Sequence, residues 1–258
     1  MSESAIIAWQ ALVIGALGAA VGSFLNVVLV RTAGHRPYLV GRSACPHCGR
    51  TLRWYELVPV GSFLMLGGRC RTCRKRLSVQ YLLMECLTAA LFMLVFLRFG
   101  FSLMTPLGMV VVSAMLLIAM YDLRWSLIPD EFSYLLIAAG LLAASVGGVS
   151  WVDLMVGVLA GGAFFGGQYL LSRGRWIGSG DIFLGIALGA LLGWRALALA
   201  LGLAYFLGAL VAIVQIMRHR TKVGRAMAFG PYLMIGGLLA WLYGEVLINW
   251  YLLDVIQF

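Results

Sequence analysis

Two groups of residues in this chain could do chemistry, and the first is a set of four cysteines. Cys45-Pro46-His47-Cys48 and Cys70-Arg71-Thr72-Cys73 form two Cys-x-x-Cys knuckles, with positions 49–69 lying between them. Each knuckle can offer two thiolates to a common ion, and four thiolates make a closed tetrahedral zinc site whose folding couples to metal binding. The gap slightly exceeds the usual zinc-ribbon range. Disulfides and a redox dithiol are the rival readings. The dithiol needs only one of the two knuckles, and disulfides are disfavoured in the reducing cytosol, where the charge pattern below puts this segment. His47 reads as a solvated loop histidine and Cys86 as a small packing residue within an apolar stretch.

The second group is carboxylates beside apolar stretches, where ionisable side chains are costly and count as functional candidates. Asp153 follows Ser150 by three residues and resembles half of a capping box. Asp130 and Glu131 follow Pro129 at a helix start, where negative charge suits the helix dipole. Those three read as caps. Asp122 closes an apolar run in Met120-Tyr121-Asp122-Leu123-Arg124, where a helix C-terminus disfavours an anion. Asp181 follows Gly178-Ser179-Gly180 and fits a plain N-cap as well as it fits a reactive role. Two carboxylates brought together in low dielectric share one proton and titrate as a unit. The ionised member can deprotonate a water while the protonated one polarises a peptide carbonyl, which is aspartyl-protease chemistry. Gly178 and Gly180 would let an extended backbone approach closely.

The composition says what must position these groups. Of 258 residues, 62% are hydrophobic and only 11% charged, with mean hydropathy +0.97. A soluble fold would lack the polar surface to cover itself, so the chain reads as a polytopic membrane protein. Apolar stretches fall at about 6–30, 79–97, 103–121, 132–149, 152–171, 181–194, 196–217 and 228–252. The divisions at Arg98–Ser102 and at Gly193-Trp194-Arg195 make eight spans, the sixth short at about fourteen residues, or roughly 21 Å. Such a helix is tolerable if protein shields its end. The first run reads as a span and not as a cleavable signal peptide.

The formal charge of +9 follows this division. The segments 31–78, 122–131, 172–180 and 218–227 hold seventeen of the nineteen Lys and Arg, leaving Arg98 and Arg195 on the other side. The positive-inside rule then puts those four segments in the cytoplasm and both termini outside. On this reading the basic residues set topology and imply no nucleic-acid partner. No internal repeat is apparent. Gly157, Gly161, Gly162, Gly166 and Gly167 suggest a small-residue face for close helix packing.

Gly22-Ser23-Phe24-Leu25-Asn26-Val27-Val28, the cysteine knuckles around Trp54-Tyr55-Glu56-Leu57-Val58-Pro59-Val60, and Asp122 through Ile128-Pro129-Asp130 then occur in order. Gly178-Ser179-Gly180-Asp181, Ala187-Leu188-Gly189-Ala190 and Leu192-Gly193-Trp194 follow. This ordered set resembles the bacterial type IV prepilin peptidases from about residue 22 to 194, while the last two spans match only in character. The resemblance implies a bifunctional enzyme of the bacterial inner (cytoplasmic) membrane. Such an enzyme removes the leader of type IV prepilins or pseudopilins after a glycine on the cytoplasmic side, then methylates the new amino terminus with S-adenosylmethionine. By motif matching, Asp122 and Asp181 are its catalytic pair, and Cys45, Cys48, Cys70 and Cys73 its zinc ligands.

The resemblance has departures. Phe183 stands where the family usually has Lys, and Gln80 and Leu82 replace a common Arg and Pro ahead of Glu85. With no Gly-rich Rossmann motif, the methyl-donor site has no position in the pattern. Trp54, Tyr55 and Glu56 fit either a place near it or a structural anchor.

The expected architecture is all-α. Residues 1–30 form the first transmembrane helix, 31–78 a cytoplasmic four-cysteine zinc domain, and 79–258 a seven-helix membrane domain carrying the aspartates. Its substrate is the membrane-embedded amino-terminal helix of a pilin-like protein. The alternative is a zinc-regulated transporter using Asp122 and Asp181 for ion coupling. Against it, only Glu85 and Glu245 lie well inside spans, and neither reaches the midplane where coupled ion sites usually sit.

Overall fold

The computed structural model describes residues 2–218 and 228–250. Within that range the chain is helical, its only β pairing being two isolated bridges in the cysteine segment. It divides into two compact units, Met1–Thr105 and Pro106–Phe258.

In the first unit, α1 (Glu3–Ala33) starts at Ser2, whose hydroxyl accepts the Ala5 N–H, and ends at Gly34. The cysteine segment follows with a 3-10 turn (Trp54–Leu57) and the short α2 (Gly61–Met65), and the chain then enters α3 (Gln80–Phe99). Gly15 meets Met93, Gly18 meets Ala89 and Gly22 meets Glu85, so α1 and α3 run antiparallel. The break expected near residue 100 is a cap: α3 stops at Gly100, whose φ of 60° few other residues adopt.

The second unit holds α4 (Met104–Trp125), α5 (Asp130–Val146), α6 (Trp151–Ser172), α7 (Ser179–Met217) and α8 (Gly230–Trp250). By length and apolarity six helices among the described residues can cross a membrane, with α5 at 17 residues just short and α7 at 39 taken as one. But α7 is not one rod. Gly193 has φ 68° and ψ 178°. That backbone state is essentially reserved for glycine.

Its contacts show what happens there. Before the break, Gly185 lies against Gly161 and Gly189 against Gly157, so this limb runs antiparallel to α6. After it, Trp194 bonds Asp153 and Tyr205 bonds Gln168, so the second limb runs parallel to α6. The chain therefore turns back at Gly193, and the eight membrane helices expected from sequence are present. With its exposed faces covered in Leu, Val and Phe, this is a multi-pass membrane protein.

The first limb of α7, residues 179–192, is the centre of the unit. Leu184, Ala187, Leu188 and Ala190 have no exposed surface. Gly140 of α5 meets Leu191, and Gly237 of α8 meets Leu188. This enclosure is why so short a limb suffices: protein, not lipid, surrounds it.

Other expectations divide. The close approach of α6 to α7 needs Gly157 and Gly161, where an added Cβ would strike backbone, whereas Gly166 and Gly167 have open space and do not pack. Cys86 is exposed, so it is not a core residue. Asp153 is the expected cap, with the Ser150 hydroxyl accepting its N–H, and its Oδ1 accepts the Trp194 indole N–H. Asp130 and Glu131 fill the first turn of α5 without a side-chain cap bond. The expected 218–227 loop from residue 219 onward, and the end of the last span beyond Trp250, lie outside the described residues.

Candidate active site

Asp122 and Asp181, far apart in sequence, come together through a shared level in three helices. Met115 of α4 and Leu188 of α7 both meet Gly237 of α8. From that crossing, seven residues along each helix (about 10.5 Å) lead to Asp122, Asp181 and Gly230. There the Gly230 N–H donates to Asp122 Oδ2 at 2.8 Å. Asp181 Oδ2 accepts the Gly178 N–H at 3.0 Å, so both aspartates sit at one end of the three helices. Gly180 packs against Ile128, drawing the start of α7 to the loop after α4. Both carboxylates are buried, at 5% and 7% exposure.

The two carboxylates meet different backbone partners. Asp122 sits in the last turn of α4, the wrong end for an anion, but it faces the first residue of α8, where unpaired N–H groups welcome one. Asp181 is the third residue of α7, so it is not the plain N-cap that the sequence also allowed: Gly178 holds that place, and Asp181 Oδ2 accepts its N–H from the N3 position. Two helix N-termini thus converge on two carboxylates, an arrangement that suits a pair holding one proton. Phe183 stacks edge-on against Tyr134, a contact that gives the uncharged replacement a packing role. Sequence reasoning missed Gly230. The Gly230-Pro231 step opening a helix was the available signal, because glycine and proline there mark a start.

In the first unit, the sulfur atoms of Cys45, Cys48, Cys70 and Cys73 all lie within 4.8 Å of one another. Cys45 and Cys73 Sγ are 3.9 Å apart. That is far beyond a disulfide bond. Thiolates about 2.3 Å from a tetrahedral ion are about 3.8 Å from each other. The group fits a metal. His47 stands outside it, its Nε2 3.2 Å from the Arg76 carbonyl.

The knuckles are also a small internal repeat that the sequence reading overlooked. The Cys45 N–H bonds Arg50 O and the Cys70 N–H bonds Lys75 O. Bridges Ala44–Thr51 and Arg69–Arg76 close the two loops, and Gly49 and Arg74 take positive φ at equivalent places. The N–H groups of Cys73 and then Thr72 hold the Cys70 thiol down at about 6. That favours the thiolate a metal needs.

Glu56 is structural here. Its buried carboxylate pairs with Arg50 and accepts the Arg53 N–H at 2.8 Å, and the Arg50 bond holds it below the usual carboxylate range. Trp54 is largely exposed, and the Tyr55 hydroxyl accepts from Arg53 and Arg71.

Two family models match the chain. The bacterial peptidase A24 N-terminal domain covers residues 16–99, and the type IV leader peptidase family covers 109–213. A prepilin leader peptidase/N-methyltransferase of Aeromonas hydrophila is 34% identical, over 90% of each chain. The chain belongs to the type IV leader peptidase family. Relatives with the same name in Bacillus subtilis (33% identical, 91% of this chain and 95% of theirs) and Pseudomonas aeruginosa (31%, 92% and 91%) match as widely. No solved structure matches the chain. The two family segments fall within the two structural units, so the cysteine module and the aspartate pair belong to separately recognised parts of the family.

Proposed function

We propose that this protein is a membrane-embedded aspartyl endopeptidase that removes the leader of a type IV prepilin or pseudopilin and N-methylates the new amino terminus. The observation that carries the reading is the meeting of Asp122 and Asp181 beneath two helix N-termini, in a family whose relatives are named for both activities. In the peptidase step the ionised aspartate takes a proton from water and the hydroxide attacks the scissile carbonyl. The protonated partner donates toward the carbonyl oxygen, and the tetrahedral adduct collapses as the leaving amine gains a proton. S-adenosylmethionine, when bound, would supply an electrophilic methyl on its sulfonium: the S–CH3 bond would break as the new amine takes the methyl and loses a proton, and the donor would leave as the neutral thioether.

The four cysteines hold structural zinc, supported by their thiol chemistry and spacing. The cysteine module and the aspartate end of the helices face the cytoplasm of the bacterial cytoplasmic membrane, with both termini outside. The seventeen Lys and Arg of the four assigned segments support this orientation. The transporter alternative draws no support from the family. With purified enzyme and a synthetic prepilin, Asp122→Asn and Asp181→Asn should each lower leader removal by at least a thousandfold while methylation of pre-cleaved pilin survives. Cleavage at the unmodified rate by either variant would refute the pair.

A further inference from the structure

Against the cysteine module, the first unit holds a cavity of about 200 Å³; Cys45, Cys70, Arg31, Arg69 and Arg71 line its module side, and Asn26 and Glu85 stand in the wall formed by α1 and α3. The cavity is smaller than the roughly 300–1,000 Å³ that whole small-molecule ligands fill, so it suits one end of a ligand. Two buried acceptors stand in its wall. Asn26, 1% exposed, uses Nδ2 to donate to the carbonyls of Gly22 (3.3 Å) and Tyr81 (3.2 Å), leaving its buried Oδ1 without a donor. Glu85, 7% exposed, has Oε2 taken by the Val60 N–H at 2.7 Å, while no hydrogen bond from a described residue reaches Oε1.

The two residues line one cavity: Gly22, one turn before Asn26, lets α1 touch the backbone of α3 at Glu85, and Asn26 bonds Tyr81, one turn before Glu85. Val60, whose N–H holds Glu85 Oε2, is under strain. It has φ 58° and ψ −53°, the centre of a γ-turn closed from Gly61 N–H to Pro59 O. A β-branched residue adopts that state only when its surroundings impose it.

A buried carboxylate without a cation is costly, and so is an amide oxygen without a donor. Glu56, the other acid in the wall, already has Arg50; of the wall's cations Arg31 bonds backbone carbonyls and Arg71 the Tyr55 hydroxyl, and none of Arg31, Arg69 and Arg71 pairs with Glu85 among the described residues. A ligand group that is cationic, compact and rich in N–H donors would satisfy Asn26 Oδ1 and pair with the Glu85 carboxylate. We propose that Glu85 and Asn26 form a binding site for an α-ammonium group. Under the methyltransferase reading, on which this inference rests, two molecules carry one: the freshly cut pilin and the amino-acid end of the methyl donor.

The test uses full-length enzyme in detergent and equilibrium binding. S-adenosylhomocysteine is compared with its desamino analogue, and a mature-pilin peptide with its N-acetyl form. The free-amine member of at least one pair should bind tenfold or more tightly than its blocked form, and Glu85→Gln should erase that difference. Glutamine keeps an acceptor for Val60 N–H but loses the charge. Selectivity in the first pair assigns the donor's ammonium, and in the second the pilin's amine. Equal binding of free and blocked forms by unmodified enzyme overturns the proposal, as does undiminished selectivity in Glu85→Gln. The blocked-ligand comparison on unmodified enzyme decides even if the variant misfolds. Absence of any methyl transfer by unmodified enzyme would instead sink the methyltransferase reading itself.

Discussion

Asp122 stands at the end of its own helix that repels it, and only the first N–H of α8 makes that position tolerable. The contact puts Gly230 under a constraint with a measurable consequence. A Cβ on Gly230 would lie 2.7 Å from Asp122 Oδ2 and 3.3 Å from its Cγ, so the carboxylate would have to move. Displacing a reacting group by about 1 Å can cost about a hundredfold in rate. Gly230→Ala should therefore lower kcat for leader removal by ten- to a hundredfold with little change in thermal unfolding. Gly167→Ala, where a Cβ meets nothing within 4 Å, should leave kcat near the unmodified value. Parallel kcat and melting measurements on the two variants check this.

At the level of elements, the knuckles and helices were readable to different depths. Apolar run length gave seven of the eight helices to within a few residues, because lipid demands unbroken apolarity over a fixed distance. It placed the third end too early. The α4 helix continues through Asp122 to Trp125, since a carboxylate bonded to another helix need not end its own. The cysteine spacing gave the metal group, but the matching backbone bonds of its two loops share almost no side-chain identity and were invisible as a repeat. Those loops are short and bridged by single pairs, so an ion held by the four cysteines would supply much of their folding free energy. Chelation, or Cys45→Ser with Cys73→Ser, should remove one zinc per chain and open residues 31–78 to protease, as read by metal analysis and cleavage mapping. Gly193 carries a different load. Alanine in its backbone state is strained by about 1–3 kcal/mol, so Gly193→Ala should lower unfolding stability by that order, as read by denaturant titration.

For the whole molecule, the turn at Gly193 decides how many times the chain crosses the bilayer. The α7 segment counts 39 residues. Run as one rod it would be about 58 Å long, nearly twice the roughly 30 Å hydrocarbon core. That rod would put Arg175 and Arg218 on opposite sides and leave Trp194 within lipid. The reversal instead returns Arg218 to the side of Arg175, with Trp194 and Asp153 bonded at the other. It also explains why the basic residues fall so unevenly, since a single crossing would carry Arg218, Arg220, Lys222 and Arg225 outside against the positive-inside preference. Reporter fusions test this directly. A fluorescent protein joined after Arg175 or Arg218 should glow, as it folds only in the cytoplasm, while alkaline phosphatase joined after Trp194 should be active, as it folds only outside. Opposite behaviour of the Arg175 and Arg218 fusions would require a single crossing. The second limb would then pass away from α6 and lose the bond from Tyr205 to Gln168.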